Sequence, residues 1–404
     1  MESIRKIYKI GFGPSSSHTM GPRRAAETFK EKHPLAARFH VTLFGSLAAT
    51  GKGHLTDRAI INALAPTPVD ITWKPDTFLP FHNNAMTFEA LDADNTVSDS
   101  QTLYSIGGGE LSDGTPSDER HIYEHVKMRQ IMEYCSKEGL WLWEYVERHE
   151  DEDLWEYLAT VWEQMQQTIH TGLHADRVLP GQLHLHSKAR QYYVRATSYR
   201  ENLQGRCLVI AYALATAEQN AMGGKVVSAP TCGSAGVLPA VLYHLKRVHN
   251  FSDLSILKAL ATAGLFANVI KTNASLSGAE VGCQGEVGSA CVMAAVASNQ
   301  LFGGTPAQIE YAAEMAMEHN LGLTCDPVCG LVQVPCIERN AMAALRALDV
   351  NMYATISDGN HMISFDKVVE TMNLTGKDLP SLYKETALGG LALDEGKEQS
   401  SNGH

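Results

Sequence analysis

Five of the eight cysteines, Cys283, Cys291, Cys325, Cys329 and Cys336, fall in one short, Gly-rich part of the chain, while Cys135, Cys207 and Cys232 are scattered. The N-terminal run MESIRKIYKIGFG has no apolar core of the length a secretory signal needs, so the thiols are expected to be reduced. Clustering among reduced thiols points to metal ligation or catalysis before it points to disulfides. Cys283, in SGAEVGCQGEVGSAC, precedes a predicted helix, and Cys336, in LVQVPCIERN, follows the proline that would open another. Unpaired N–H groups and the helix dipole favour negative charge there, which suits thiolates carrying an anionic cluster. Cys325 completes the set from the loop TCDPVCG. The separations, 42 and 11 residues, match neither a compact ferredoxin run nor a pair of zinc knuckles. Small buried cysteines in an Ala/Gly-rich helical core are the plain alternative. It applies most directly to Cys291, inside SACVMAAV, and to Cys329, four residues beyond Cys325. Neither belongs to the candidate ligand set.

A second group of residues could move protons or hold a small anion. His54, in TGKGHLTD, is an imidazole that titrates near neutral pH between glycines that would allow close approach of a substrate; it also reads as a solvated residue at a helix start. His18 lies in GPSSSHTMGP, where Ser15, Ser16, Ser17 and Thr19 precede a helix. Hydroxyls and free amides at such a terminus make a carboxylate cradle or an ordinary cap. Asn273, Ser275 and Ser277 stand just ahead of Cys283, and Ser228, Thr231 and Ser234 occur in SAPTCGSAG. All of these could bind a substrate's carboxylate and ammonium, and all could equally be helix caps. Lys225 and Lys271 lack an aldimine motif and a Gly-rich phosphate cup, so pyridoxal phosphate is not expected.

These residues need elements to position them. With 404 residues, 44% hydrophobic and 19% charged, the chain has the balance of a globular protein of two or three domains. A net charge of -12 argues against nucleic acid as a partner, and no run of about 18 uninterrupted apolar residues suggests a membrane span, so a cytoplasmic protein is expected. Residues 1–130 alternate β-rich runs (IYKIGFG, FHVTLFGS, VDITW, AMTFEAL, QTLYSIGG) with helical stretches at 23–33 and 56–64, which reads as an α+β domain. Residues 131–199 read as a charged helical connector, whose Trp141, Trp143, Trp155 and Trp162 are packing anchors. From 200 to 394 strand signals nearly vanish and small-residue helices are expected at 207–222, 237–248, 254–270, 287–301, 305–320 and 335–348, giving an all-α domain. Thr305, Pro306 and Gln308 form a capping pattern. The polar run 395–404 reads as a mobile tail.

Several segments together resemble the single-chain, iron-sulfur L-serine dehydratases of bacteria: GPSSSHTMGPRRAA, LFGSLAATGKGHLTD, SIGGG, SAPTCGSAGVLPAVL, SGAEVGCQGEVGSAC, CDPVCGLVQVPCIERNAM and YKETALGGLAL. The resemblance implies an N-terminal β-type domain joined to an all-α catalytic domain carrying a [4Fe-4S] cluster on Cys283, Cys325 and Cys336. It implies that the fourth iron stays open to act as Lewis acid on the hydroxyl of L-serine, while His54 takes the Cα proton, with His18 the next candidate. Pyruvate and ammonia are the implied products, and a homodimer the implied assembly. The same chemistry on L-threonine or L-cysteine, a non-catalytic iron-sulfur sensor and a zinc protein are the competing readings. His361, in SDGNHMIS, also falls at a family-like position without an evident role. Two departures are visible. Some relatives close the open iron with a cysteine at the extreme C-terminus, where this chain reads SSNGH, and Cys329 stands where glycine is expected in many relatives.

Overall fold

The computed structural model describes residues 1–115, 121–387 and 389–393, apart from the side chains of 201 and 202. The chain divides into two units, residues 11–119 and residues 1–10 together with 120–404, and β1 (Lys9–Phe12) runs across the division.

In the smaller unit a wide turn at Ser16–Met20 leads into α1 (Gly21–Lys32). β2 (Arg38–Phe44), α2 (Gly45–Thr50), α3 (Thr56–Leu64), β3 (Val69–Lys74), β4 (Ala85–Leu91), β5 (Val97–Gly107) and β6 (Glu110–Ser112) follow. The sheet order is β3-β2-β4-β5-β6; β2 and β3 are parallel, joined through α2 and α3, and the other pairs are antiparallel. Alternation of residue type along each strand decides which face is buried. Phe39, Val41 and Leu43 of β2 oppose Ala90, Phe88 and Met86 of β4, and all share one core with Ala25, Ala26 and Phe29 of α1 and Ile60, Ala63 and Leu64 of α3. Each large apolar side chain fully buried there contributes about 1.5–3 kcal/mol. The intervening residues form a polar face, where His40 bonds Glu89 at 2.6 Å and Thr72 at 2.9 Å, and Thr87 meets Thr102 at 2.8 Å.

The larger unit contains α4 (Met128–Glu138), α5 (Leu142–His149), α6 (Leu154–His174), α7 (Ala189–Ser198), α8 (Glu201–Ala221), β7 (Lys225–Ser228), α9 (Val237–His249), α10 (Asp253–Asn273), α11 (Gly278–Val281), α12 (Ser289–Leu301), α13 (Pro306–Glu318), α14 (Cys336–Ile356) and α15 (Phe365–Asp378). At its centre α12 packs against α9, α10, α13 and α14. Ser289 to Asn299 are all buried, because SACVMAAVASN offers no polar stripe to water and its small side chains let neighbours approach on every side. Thr305 caps α13 as its sequence pattern predicts, accepting the Gln308 N–H while Gln308 returns a bond to Thr305. Among the described residues α10 is the one helix long and apolar enough to cross a membrane, and most of that stretch is buried in this core.

An α+β region followed by a mainly helical one is therefore what the chain forms, but the units divide differently from the sequence pattern. Residues 131–199 are part of the helical core rather than a connector: Ile131, Tyr145, Val146, Leu158, Trp162 and Met165 are buried with the later helices. The first ten residues belong there too, since Met1, Ile4, Ile7 and Tyr8 are buried and the Tyr8 hydroxyl donates to the Leu260 carbonyl at 2.7 Å. Trp162 is buried, Trp143 and Trp155 pack edge to face at 6.2 Å, and Trp141 is the exception, 45% exposed. Residues 395–404 lie outside the described residues.

Candidate active site

Three short segments of the helical unit converge. The first is a single wide helical turn at Gln284–Gly288, with Cys283 as its N-cap, which runs directly into α12. Such π-type turns often mark functional sites. The second is the loop carrying Cys325, and the third is Cys336 at the first position of α14. Backbone and side-chain bonds tie them together. The Gln284 N–H donates to the Leu323 carbonyl at 3.3 Å, and the Gln284 side chain accepts from the Gly322 N–H at 2.9 Å and donates to the Val281 carbonyl at 2.8 Å. Arg339, on α14, donates to the Thr324 carbonyl at 2.5 Å and reaches Asp326 at 3.7 Å. Asn340 donates to the carbonyls of Gly233 and Cys336 at 2.7 and 2.8 Å and accepts the Gly236 N–H at 2.8 Å. Cys325 itself donates its N–H to Tyr383 at 2.8 Å and accepts from Thr386 at 3.1 Å.

The three thiols feel one another. Burial pushes Cys283 up to about 11, helped by Glu286 and opposed by Arg339 and by bonds from Arg339 and the Val287 N–H to its sulfur. Burial raises Cys325 well above the ordinary thiol range, and Glu286, Cys283, Glu385 and Cys336 add to the shift. Burial also raises Cys336, with Cys283 and Glu286 contributing. Two carboxylates therefore face the trio, neither apparent from the sequence. Glu286 lies 3.8 Å from the Cys325 sulfur, and burial raises its carboxyl against bonds from Thr231 and Cys325 and the charge of Arg339. Burial and Glu286 push Glu385 up to about 8, and Glu385 adopts a left-handed φ of +45°.

The donor set fits a cluster. Buried thiols that raise one another become thiolates only around a cationic core, and soft sulfur ligands select iron-sulfur centres or zinc. Among the described residues no three His, Cys, Asp or Glu side chains come close enough to share a single ion. Gly278 backs directly onto these groups: a Cβ there would lie 3.0 Å from the Cys325 sulfur and 2.8 Å from Glu286 Oε2, so only glycine fits beside them. Cys291 stands apart in the α12 core, its thiol donating to the Ala343 carbonyl at 3.5 Å. Cys329 has φ +57°, a conformation glycine takes without steric cost.

In the smaller unit His18 and His54 pack with ring centroids 4.7 Å apart. Both are buried. His18 Nδ1 meets the Ser17 hydroxyl at 2.8 Å and Nε2 the Ser46 hydroxyl at 3.0 Å. His54 Nδ1 lies 3.1 Å from the Thr50 carbonyl, which can only accept, so Nδ1 carries the proton and Nε2 keeps a lone pair. Burial lowers His18 well below the usual imidazole value, His54 adding to the effect, and lowers His54 to about 4. The backbone around them is clamped reciprocally: Thr19 donates to the His54 carbonyl at 2.7 Å and Thr56 to the His18 carbonyl at 2.6 Å. Leu55, next to His54, has φ +56°, an expensive conformation for a bulky residue and one common at functional sites. Gly51 serves packing rather than substrate approach, since a Cβ there would lie 2.8 Å from the Trp73 ring.

The hydroxyl and amide candidates are largely engaged. Ser15 caps the turn before α1, accepting the His18 N–H at 3.1 Å, while Thr19 accepts the Ser15 N–H at 3.1 Å. Ser16 and Thr19 are buried, and Ser17 is bound to His18. Asn273 donates to the Val126 and Val269 carbonyls at 2.7 and 2.8 Å, Ser275 accepts the Ser277 N–H at 3.0 Å, and Ser277 precedes α11 as its N-cap. Ser228 accepts the Lys9 N–H at 3.1 Å, and Thr231 meets Ser234 at 3.0 Å. Lys271 pairs with Glu2 at 2.6 Å. His361 pairs with Glu310 at 2.5 Å and stacks on Tyr311 beside a cavity of about 750 Å³ that none of the three cysteines lines.

Residues 81–392 match the family model of the serine dehydratase alpha chain, and residues 3–70 that of the serine dehydratase beta chain. The first model ends within β3 and the second begins shortly before β4, so their junction falls inside one continuous sheet rather than at the structural division near residue 119. The L-serine dehydratase of Haemophilus influenzae is 41% identical over 451 residues, covering 97% of this chain and 99% of its own. L-serine dehydratase 2 of Escherichia coli is 40% identical over 455 residues, covering 97% and 99%, and the L-serine dehydratase of Streptomyces coelicolor is 39% identical, covering 97% and 98%. Those alignments are longer than 404 residues, so each relative carries residues that have no counterpart here. With both models matched along one polypeptide and relatives alike from end to end, the chain belongs to the serine dehydratase family.

Proposed function

We propose that the chain converts L-serine to pyruvate and ammonia with a [4Fe-4S] cluster held by Cys283, Cys325 and Cys336. The observation that carries the reading is the meeting of these three distant thiols in a chain alike over nearly its whole length to proteins named L-serine dehydratase. Bound there, the cluster supplies a Lewis acid for the substrate's hydroxyl, whose departure is otherwise unfavourable.

The chain's own groups do the rest. Arg339 and the Val287 N–H donate to the Cys283 sulfur and favour its anionic form. His54 is the base at Cα: burial keeps it neutral at physiological pH, and the Thr50 carbonyl fixes the tautomer that leaves Nε2 free to take a proton. His18, with both nitrogens bound to hydroxyls, serves as the wall against which the His54 ring rests. Loss of the Cα proton and the β-hydroxyl leaves 2-aminoacrylate, which tautomerises to an imine and hydrolyses without further help from side chains.

Anaerobic reconstitution with iron and sulfide, followed by pyruvate or 2-oxobutyrate assay on L-serine, L-threonine and L-cysteine, tests the reading. L-Serine is expected to give the highest kcat/KM, and Cys283→Ala, Cys325→Ala and Cys336→Ala each to lose visible absorption and turnover together. Fully active protein free of iron would overturn it.

A further inference from the structure

From Val281 to Ala290 every residue is buried except Glu286. The turn that presents Cys283 thus sends one side chain, a carboxylate, toward accessible space. Its surroundings are those of the proposed reaction site: the Cys325 sulfur at 3.8 Å, a bond from the Thr231 hydroxyl, and charge interactions with Cys283, Cys336, Glu385 and Arg339. Glycine permits a close approach on one side of it and leaves ordinary contact distance on another. A Cβ at Gly278 would sit 2.8 Å from Glu286 Oε2, and one at Gly233 would sit 3.7 Å from Oε1.

A carboxylate in that position works against cluster assembly unless a cation offsets it. Glu286, Glu385 and three thiols share the site with the single cation Arg339, so the anions outnumber the positive charge the chain supplies, and like charges this close repel. The ligand the reaction brings is an amino acid, whose α-ammonium is a compact cation with three hydrogen-bond donors. Resting on the reading of the chain as an L-serine dehydratase, we propose that Glu286 receives the substrate's α-ammonium group and so selects amino acids over the corresponding hydroxy acids. Charge-assisted bonds of this kind are the strong ones, and a site built around one rejects analogues that cannot make it.

The test uses the full chain, reconstituted anaerobically, as wild type, Glu286→Gln and Glu286→Asp. Two unreactive ligands isolate the ammonium: L-alanine carries it, and L-lactate has a hydroxyl in its place. By calorimetry wild type is expected to bind L-alanine at least about 10-fold more tightly than L-lactate. Glu286→Gln should weaken L-alanine by about 10- to 100-fold, leave L-lactate unchanged and keep the iron content and visible spectrum, with Glu286→Asp recovering part of the loss. The KM for L-serine should rise in parallel. Unchanged L-alanine binding in a cluster-loaded Glu286→Gln protein, or no preference for L-alanine in wild type, overturns the assignment. Loss of the cluster from both variants also overturns it, since Glu286 would then belong to the metal's own ligand set. Wild type that binds L-alanine but releases no pyruvate from L-serine sinks the functional reading and leaves the ammonium site standing.

Discussion

Replacing Gly278 by alanine adds one methyl group at the tightest point beside the cysteine trio. The new Cβ would lie 2.8 Å from Glu286 Oε2, 3.3 Å from its Cδ and 3.0 Å from the Cys325 sulfur. Non-bonded carbon contacts are comfortable at about 3.5–4.0 Å, so the sulfur and the carboxylate must retreat by about 0.5–1 Å. Folding itself should change little. Gly278 opens α11 outside the left-handed region, so alanine gains up to about 1 kcal/mol of helix preference, which partly offsets an overpacking cost of about 1–3 kcal/mol. Metal ligation is less forgiving, because ligand distances are held within about 0.2 Å. The variant is therefore expected to unfold within a few degrees of wild type, yet to hold its cluster at least about 10-fold less well against a chelator and to lose about 100-fold in turnover. Iron per chain after anaerobic gel filtration, read beside the visible spectrum and thermal unfolding, measures this. A Gly278→Ala protein with full iron and normal turnover would refute the placement of Cys325 and Glu286, and so would one that unfolds before it loses iron.

Three further outcomes are expected. His54→Ala should keep the chromophore and lose about 10²- to 10⁴-fold in kcat, the usual contribution of a positioned base; near-normal pyruvate release would move the base elsewhere. Cys329→Gly should relieve a left-handed residue and raise stability by about 1 kcal/mol with iron content unchanged, whereas loss of iron in that variant would make Cys329 a ligand. Acid should weaken the smaller unit before its carboxylates titrate. The folded value of His54, about 4, lies below its unfolded value near 6.5, so its contribution is complete above pH 6.5 and lost as pH falls toward 4. The difference is on the order of 3 kcal/mol, read as a fall in the urea midpoint between pH 7 and 4.5; an unchanged midpoint would mean that His54 is not buried as neutral imidazole.

Much of the architecture was legible because period and punctuation agree. Thr56–Leu64, Val69–Lys74 and Ala85–Leu91 fall within a residue of their sequence patterns, and Thr305 caps its helix as the motif requires. The unit boundary was not legible, because Met1, Ile4, Ile7 and Tyr8 show no local sign that their partners lie on α10, more than 250 residues away. The same blindness hid Glu286. Its sequence neighbourhood was in plain view beside Cys283, but a helix would have turned it to either side, and only the wide turn at Gln284–Gly288 aims it at the thiols. Asn340 and Arg339 carried one available signal, the polar run Glu338–Asn340 in the first turn after Cys336, on a helix that continues with small residues.

The three sulfurs are not held alike, and the difference gives a segment near the C-terminus a structural task. Cys283 and Cys336 stand at the starts of two helices, α12 and α14, that pack directly on each other, so their separation follows from contacts between small buried side chains. Such packing transmits position with little slack. Cys325 has no helix of its own. Its backbone is fixed by Tyr383 and Thr386 on one side and its loop by Arg339 on the other, and the neighbouring Asp326 accepts the Leu391 N–H at 3.0 Å. Tyr383, Thr386 and Leu391 thus act as a strap whose backbone groups stand in for the missing helix, and Glu385 reaches the thiols from between the bonded Tyr383 and Thr386. A loop thiol held this way can yield where helix-borne ones cannot, which makes Cys325 the corner of the trio at which a perturbation such as Gly278→Ala is felt first.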